Sequence, residues 1–383
     1  MTAHPSSVRP KRRPATQTEG RLCDIALPAR AQVGDLIQLE VAGRTTLALV
    51  ERAQVAAWDL GPGDAAAIDQ LLADRIATAL TRRRQLLPAE LTVFRAVHDA
   101  GDGLPGIAVD GYGTVAICQC YGAAFRRHAD SLAAALRQYF ASVRVVERGP
   151  RGQVGAIDRW YGERVSEQIV CEHGLRYRVR FDDAKLGSGL FADQRPQRHE
   201  LRQRAAGQRT LNLFGYAGGF TVAAAAGGAQ QVDHVDSSRP CLRWTADNLE
   251  LNALDPHQHR LIGEEAPQYV QRARRRGERY GLIVADPPTF ALGRRPFRLL
   301  RDLGPMLADC CALLAPGGQL LVSANARGLT EAGLAAIARN AARDSGCAVE
   351  IEAATGQGED YPYLDRGGAL HHLKAFWLKR VAD

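Results

Sequence analysis

Apolar and polar positions alternate with a period of two from Leu22 to about Leu60. Stretches such as "DLIQLEVAG" and "TTLALVE" are cut by Gly and Asp, which predicts a small β domain. "AAAIDQLLADRIATALTRRRQLL" then spaces its apolar residues along one helical face and leaves Arg82, Arg83 and Arg84 for the open one. "GDGLPGIAVDGYGTVAICQCYG" predicts a β-hairpin that turns at "DGYG". A helix over "HADSLAAALRQYF" and a strand over "SVRVVERG" follow.

Beyond about residue 170 the pattern changes. "RTLNLF", "QVDHVD", "HRLIGE", "YGLIVAD" and "GGQLLVSAN" are short apolar runs, each followed by a helical segment. This alternation predicts a doubly wound parallel sheet, whose ligands sit at the carboxyl ends of the strands. The predicted organisation is a disordered basic tail over 1–20, a small β domain over 21–75, a central α+β domain over 76–168 and an α/β domain over 169–383. The tail is assigned from its Pro, Ser, Thr and Arg content and its lack of apolar period.

Composition narrows the function class. Apolar content of 46% and charged content of 24% suit a soluble globular protein, and no run approaches the ~18 apolar residues of a membrane span. The N-terminus lacks the apolar core of a secretory signal, so a cytoplasmic location is expected. The eight cysteines form no CxxC pair, and no metal site is expected. A net charge of +7 tilts toward an anionic partner, although nearly all of it is arginine, as a GC-rich genome would also give. The arginines cluster, and the "GRRPFR" cluster, with Arg294, Arg295 and Arg298, lies just after a strand end of unusual chemistry, "IVADPPTF".

That strand end belongs to an ordered set. The first predicted strand runs into "NLFGYAGGFTVAAAAGGA", where glycines before a small-residue helix let backbone approach a ligand. Asn212, Phe214, Gly215, Tyr216, Gly218, Gly219 and Phe220 are the candidate contacts there. The second strand ends in Asp236, with Ser237 beside it, where an acid commonly takes a ribose diol. No phosphate-binding signature accompanies it. The third ends in "GEE", which offers Glu264 or Glu265 to an adenine amino group, and the fourth in Asp286-Pro287-Pro288. Glycine turn, ribose acid, adenine-side acid and Asp-Pro-Pro, in that order, point to a class I S-adenosylmethionine (SAM) methyltransferase. Asp286 is a candidate for the cofactor as well as for the acceptor, and Phe290 for stacking on a base.

Six motifs also resemble a family: "GDGLPGIAVDGYG", "GLFADQR", "LNLFGYAGGF", "DNLELN", "DPPTF" and "LKAFWLK". From about Leu60 to the C-terminus the chain resembles the large-subunit ribosomal RNA methyltransferases that carry a PUA domain, a central α/β domain and a class I methyltransferase domain. The resemblance implies a Rossmann-like C-terminal domain and a PUA-like N-terminal one. It places Asp193, Gln194 and Arg195 over the methionine end of the cofactor, where a guanidinium suits a carboxylate. The implied partners are large-subunit rRNA or a ribosome assembly intermediate, with no membrane, and a homodimer is an option.

One position bears on the acceptor atom. Relatives that methylate cytosine C5 carry a thiol at the end of the fifth strand in an "FSCS"-like motif, because C5 becomes nucleophilic only after a thiolate adds to C6. Here the motif is "VSANARG" and the corresponding residue is Ala324. Cys310 and Cys311 lie in "MLADCCALL" at core spacing. "SANARG" resembles the "SNNKRG" of relatives that methylate guanine N7, which favours N7 over C5. Asn325 would read a base edge, and Arg327 a phosphate or a guanine. The alternatives are a cytosine-C5 enzyme, a same-fold enzyme acting on a small molecule or protein with little salt dependence, and a non-catalytic RNA-binding assembly factor that cofactor titration would expose.

Overall fold

The computed structural model describes residues 22–24, 27–41, 44–52, 56–61, 68–149, 154–182, 188–291, 296–326, 328–362 and 373–381. The predicted tail over 1–20, and Arg294, Arg295 and Arg327, lie outside the described residues. The chain forms two compact units, residues 1–168 with 359–370, and 169–358 with 371–383.

The first unit holds two sheets. Strands β1 (Leu22–Asp24), β2 (Leu36–Val41), β3 (Arg44–Arg52) and β4 (Ala56–Gly61) pair antiparallel in the order β1-β4-β3-β2. Helix α1 (Ile68–Leu86) leads to a second sheet of β5 (Val93–His98), β6 (Ile107–Tyr112), β7 (Val115–Cys120), β8 (Ser142–Arg148) and β9 (Val154–Tyr161), in chain order. The predicted hairpin is β6–β7, but Tyr112 pairs with Val115, so the turn is Gly113-Thr114, with Gly113 at φ +60°. Helix α2 (Ala129–Leu136) carries the chain from β7 to the parallel β8. Leu47, Leu49 and Leu60 of the first sheet share one core with Leu72, Ile76 and Leu80 of α1 and with Val109, Cys118 and Val145 of the second. α1 runs without a break across position 75/76, where the sequence suggested a domain boundary.

Arg83 corrects the sequence reading. The buried stripe of α1 is Leu72, Ile76, Ala79, Leu80 and then Arg83, because the helical period carries the stripe one turn further than its apolar residues. Arg83 is 2% exposed, paired bidentately with Asp102 at 2.6 Å, and donates to the Arg95 and Asp360 carbonyls. It holds the unit together and is not available to RNA. Arg82 and Arg84 are exposed.

The second unit begins within strand β10 (Glu167–Glu172), which forms a hairpin with β11 (Leu175–Arg180), and helix α3 (Arg195–Arg204) follows. There follow β12 (Arg209–Leu213), α4 (Gly219–Ala226), β13 (Gln231–Val235), α5 (Arg239–Leu251), β14 (Arg260–Ile262), α6 (Ala266–Arg275) and β15 (Tyr280–Ala285). A two-residue ladder, β16 (Phe290–Ala291) with β17 (Phe297–Arg298), precedes α7 (Leu299–Leu313), β18 (Leu314–Ala324), α8 (Glu331–Asp344), β19 (Val349–Thr355) and β20 (Lys374–Arg380). The main sheet has the order β14-β13-β12-β15-β18-β20-β19. The first five strands are parallel, and β20 runs antiparallel to both its neighbours. This is the predicted doubly wound sheet, with all five predicted strands in place.

Period-two alternation gives each face its own core. Leu211, Leu213, Ile283, Ala285, Leu320, Val322 and Ala324 pack with α6, α7 and α8. Val232, Leu282, Val284, Leu321 and Trp377 pack with Leu201 of α3 and Phe220 of α4. Continuing that alternation puts Asn212, His234, Asp286 and Ser323 on the α3–α4 side. The order reverses between β12 and β15, which opens the rim where such sheets bind ligands.

Candidate active site

The turn after β12 is tightly constrained. Phe214 and Tyr216 both have positive φ, +55° and +51°, and Gly218 stands at +85°. Two non-glycine residues in the left-handed region within three positions mark stored strain of the sort found at functional sites. Four contacts hold the turn. The Tyr216 N–H donates to Asp236 Oδ2 at 2.9 Å, and the Gly215 N–H to the Val235 carbonyl at 3.1 Å. Thr245 Oγ1 of α5 donates to the Tyr216 carbonyl, and Asn248 Nδ2 to the Ala217 carbonyl. Gly218 is the N-cap of α4, and no side-chain cap bonds that helix start among the described residues, which suits an anion.

Beneath the turn lies a buried polar chain. Asn212 Nδ2 donates to Thr221 Oγ1 at 2.9 Å, and the His234 ring joins Thr221 at 2.8 Å to Thr245 at 3.3 Å. Burial pushes the His234 pKa down to about 3, so the ring is neutral. A Cβ at Gly215 would stand 2.3 Å from that ring. Gly215→Ala is therefore expected to destabilise the protein by about 1–3 kcal/mol, the usual cost of overpacking. Thermal melting checks this, and an unchanged midpoint would mean that the ring yields freely.

Two predicted contacts are corrected here. Asn212 is 1% exposed and donates its amide N–H to Thr221, because β12 turns that position toward the layer under the turn, while its Oδ1 is buried without a hydrogen-bond partner among the described residues. Phe220 is buried in the core between the sheet and α3–α4, one helical step past the rim. Phe214 is half-buried and packs against Phe297, with ring centroids 5.1 Å apart. Gly219 opens α4, where a Cβ would come 3.1 Å from Leu190.

At the second strand end, burial raises the Asp236 pKa, opposed by N–H donors from Ser238 at 2.8 Å and from Tyr216. Ser237 is exposed. At the third, Glu264 is ion-paired with Arg272 of α6, and Glu265 caps α6 and accepts from Gln268 Nε2 at 2.6 Å. Of these acids, Asp236 is the one that faces the glycine turn.

The fourth strand end gathers the densest chemistry. Asp286 Oδ1 accepts from Ser323 Oγ at 2.5 Å and from Gln194 Nε2 at 2.8 Å, and that same amide reaches Ser323 Oγ at 3.0 Å. Burial raises the Asp286 pKa to about 6, partly opposed by the Ser323 hydroxyl. Gln194, predicted over the cofactor's methionine end, thus spends its amide on this acid, while its Oε1 is buried without a hydrogen-bond partner among the described residues. Asp193 and Gln194 form a 3₁₀ turn, and Arg195 begins α3 and is buried. Pro287 is buried and Pro288 exposed. The Phe290 ring is 51% exposed. Asn325 is exposed and accepts from Thr289 Oγ1 at 3.2 Å, which ties the two strand ends together. Arg298 is exposed. Ser323, absent from the sequence-derived candidates, has only its place one residue before Ala324 as a signal.

An unsupported helix start, a strained glycine turn, an acid bonded to that turn and an orphaned buried amide oxygen fit an adenosyl-amino-acid ligand. The sequence profile of S-adenosylmethionine-dependent methyltransferases matches residues 123–375. The chain belongs to this family. Ribosomal RNA large subunit methyltransferase I of Aeromonas salmonicida is 33% identical over 289 residues, covering 71% of this chain and 70% of that protein. Ribosomal RNA large subunit methyltransferase K/L of Methylococcus capsulatus is 38% identical over 218 residues, 56% of this chain and 27% of that one. A SAM-dependent methyltransferase from Streptococcus mutans shares the fold, with a TM-score of 0.79 at 24% identity, covering 91% of this chain and 92% of its own. This methyltransferase uses SAM. Among its described residues no helix is long and apolar enough to cross a membrane.

Proposed function

We propose that this methyltransferase modifies a base of large-subunit ribosomal RNA, with guanine N7 as the acceptor. Relatives named as rRNA large subunit methyltransferases support the substrate class. The observation that carries the choice of atom is the state of the thiols. Position 324 is alanine, fully buried on the α6–α8 side of the sheet, and Cys310 and Cys311 are buried in α7. Burial raises both thiols, Cys311 to about 12. Neither of these two thiols is then at hand as a thiolate to add to C6 of a cytosine, whereas N7 carries its own lone pair and needs only alignment.

When bound, SAM supplies a methyl group on a positively charged sulfur. The residues divide the remaining work. The turn Gly215–Gly219 and Asp236 hold the adenosyl part, Glu265 lies at the adenine side, and Asp193, Arg195 and the start of α4 face the methionine end. Asp286 accepts from an amino group of the target base, Phe290 stacks on it, and Asn325 reads its edge. Arg82, Arg84 and Arg298 meet phosphates, so binding weakens as salt rises. The enzyme works in the cytoplasm, on free rRNA or an assembling particle.

Nucleoside mass spectrometry of rRNA methylated by the purified enzyme tests this reading. The expected product is 7-methylguanosine, cleavable at the modified site after borohydride and aniline, with no trapped complex on 5-fluorocytidine-substituted RNA. Detection of 5-methylcytidine, abolished by Cys310→Ser or Cys311→Ser, would overturn the choice of atom. Activity without RNA would overturn the substrate class.

A further inference from the structure

Ser323 has no role in the reading above, yet it makes the shortest contact to Asp286. The β15–β18 register pairs Ala285 with Val322, so Asp286 and Ser323 are the next residues on adjacent strands and extend from the same face. Ser323 is fully buried, so its hydroxyl cannot turn to water. It meets Asp286 Oδ1 at 2.5 Å, and the Gln194 amide braces both groups at 2.8 and 3.0 Å. Both donors fall on Oδ1, and Oδ2 makes no hydrogen bond among the described residues.

We infer that Ser323 is a positioning residue, which together with Gln194 fixes Oδ1 of Asp286 and so presents Oδ2 to the incoming base. This rests on the reading of Asp286 as the acceptor of a base amino group. Without the two donors the carboxylate could rotate about its last bond and offer either oxygen in many directions. With them a single lone-pair direction is fixed before the base arrives, as orientation-dependent chemistry requires. The same donors favour the ionised carboxylate, the form that can accept. The other charged groups that face Asp286 are Asp193 of the 3₁₀ turn, which raises its pKa, and Arg198 of α3, which lowers it. Arg198 is itself held by Glu172 through two contacts of 2.6–2.7 Å. Neither of these carries the directional contact that the hydroxyl makes.

The test is a carboxyl ¹³C NMR titration of the cofactor-free full chain, paired with a pH profile of methyl transfer. Wild-type Asp286 is expected to titrate near pH 6. In Ser323→Ala the midpoint moves up by about one pH unit, because a donor to the charged form is lost. The acidic limb of the rate profile moves with it, and kcat on the alkaline plateau falls by about tenfold while cofactor affinity stays within about twofold. Gln194→Ala shifts the titration in the same direction, which guards against a folding artefact at the buried serine. An unmoved titration and an unmoved acidic limb in both variants, with wild-type melting curves, would overturn the inference. A shifted titration in an enzyme that methylates no RNA would instead overturn the substrate reading and leave the hold of Ser323 on the carboxylate intact.

Discussion

Asp286→Ala is expected to slow methyl transfer by about a hundred- to a thousandfold, the range lost when a preorganised polar contact at a reacting centre is removed. The fold should survive, and part of the reason is electrostatic. Burial raises the Asp286 pKa to about 6 from an ordinary value of 3.8. The folded state therefore holds this proton more tightly than the unfolded one, and stability falls as pH rises between those two values. Above about pH 6 the whole cost of a buried carboxylate is present, up to about 3 kcal/mol at 1.36 kcal/mol per pH unit. Removing the acid relieves it. At pH 8 that relief is offset by the buried Ser323 hydroxyl and Gln194 amide losing their acceptor, so the variant should melt close to wild type, while single-turnover rates collapse and cofactor affinity changes by less than about threefold. A loss of affinity in step with the loss of rate would move Asp286 from the base side of the site to the cofactor side.

Asp236→Ala should act on the opposite term. The carboxylate accepts the Tyr216 N–H of a turn with two left-handed non-glycine residues and the Ser238 N–H before α5. Each oxygen retains a lone pair for a ribose hydroxyl. Charge-assisted hydrogen bonds contribute ~1.5–3 kcal/mol, so SAM affinity should fall by about ten- to a hundredfold. Because the acid also restrains the turn, association should slow as well as dissociation quicken, which stopped-flow binding would resolve. Calorimetry that finds the affinity of wild type would remove Asp236 from the cofactor site.

Much of this molecule was legible in its residues. The five short apolar runs with helices between them specify parallel strands because such strands are buried on both faces and need helical crossovers. The motif order along those runs placed the glycine turn, Asp236 and Asp286 on one rim, since every parallel strand ends on the same side of the sheet. The missing thiol at Ala324 was equally a fact of sequence. What sequence reading could not decide was the face and partner of each side chain. It gave Arg83 to solvent, although the helical period runs on from Leu72, Ile76 and Leu80 to bury it on Asp102. It gave Asn212 and Phe220 to the ligand, although alternation and helix phase turn both inward. It passed over Ser323, whose importance arises from the β15–β18 register alone. Period and motif order are local properties that the chain carries along its length. Which polar group meets which is set by strand register and helix phase, through contacts between residues as far apart as Gln194, Asp286 and Ser323, and only the packed structure brings them within bonding distance.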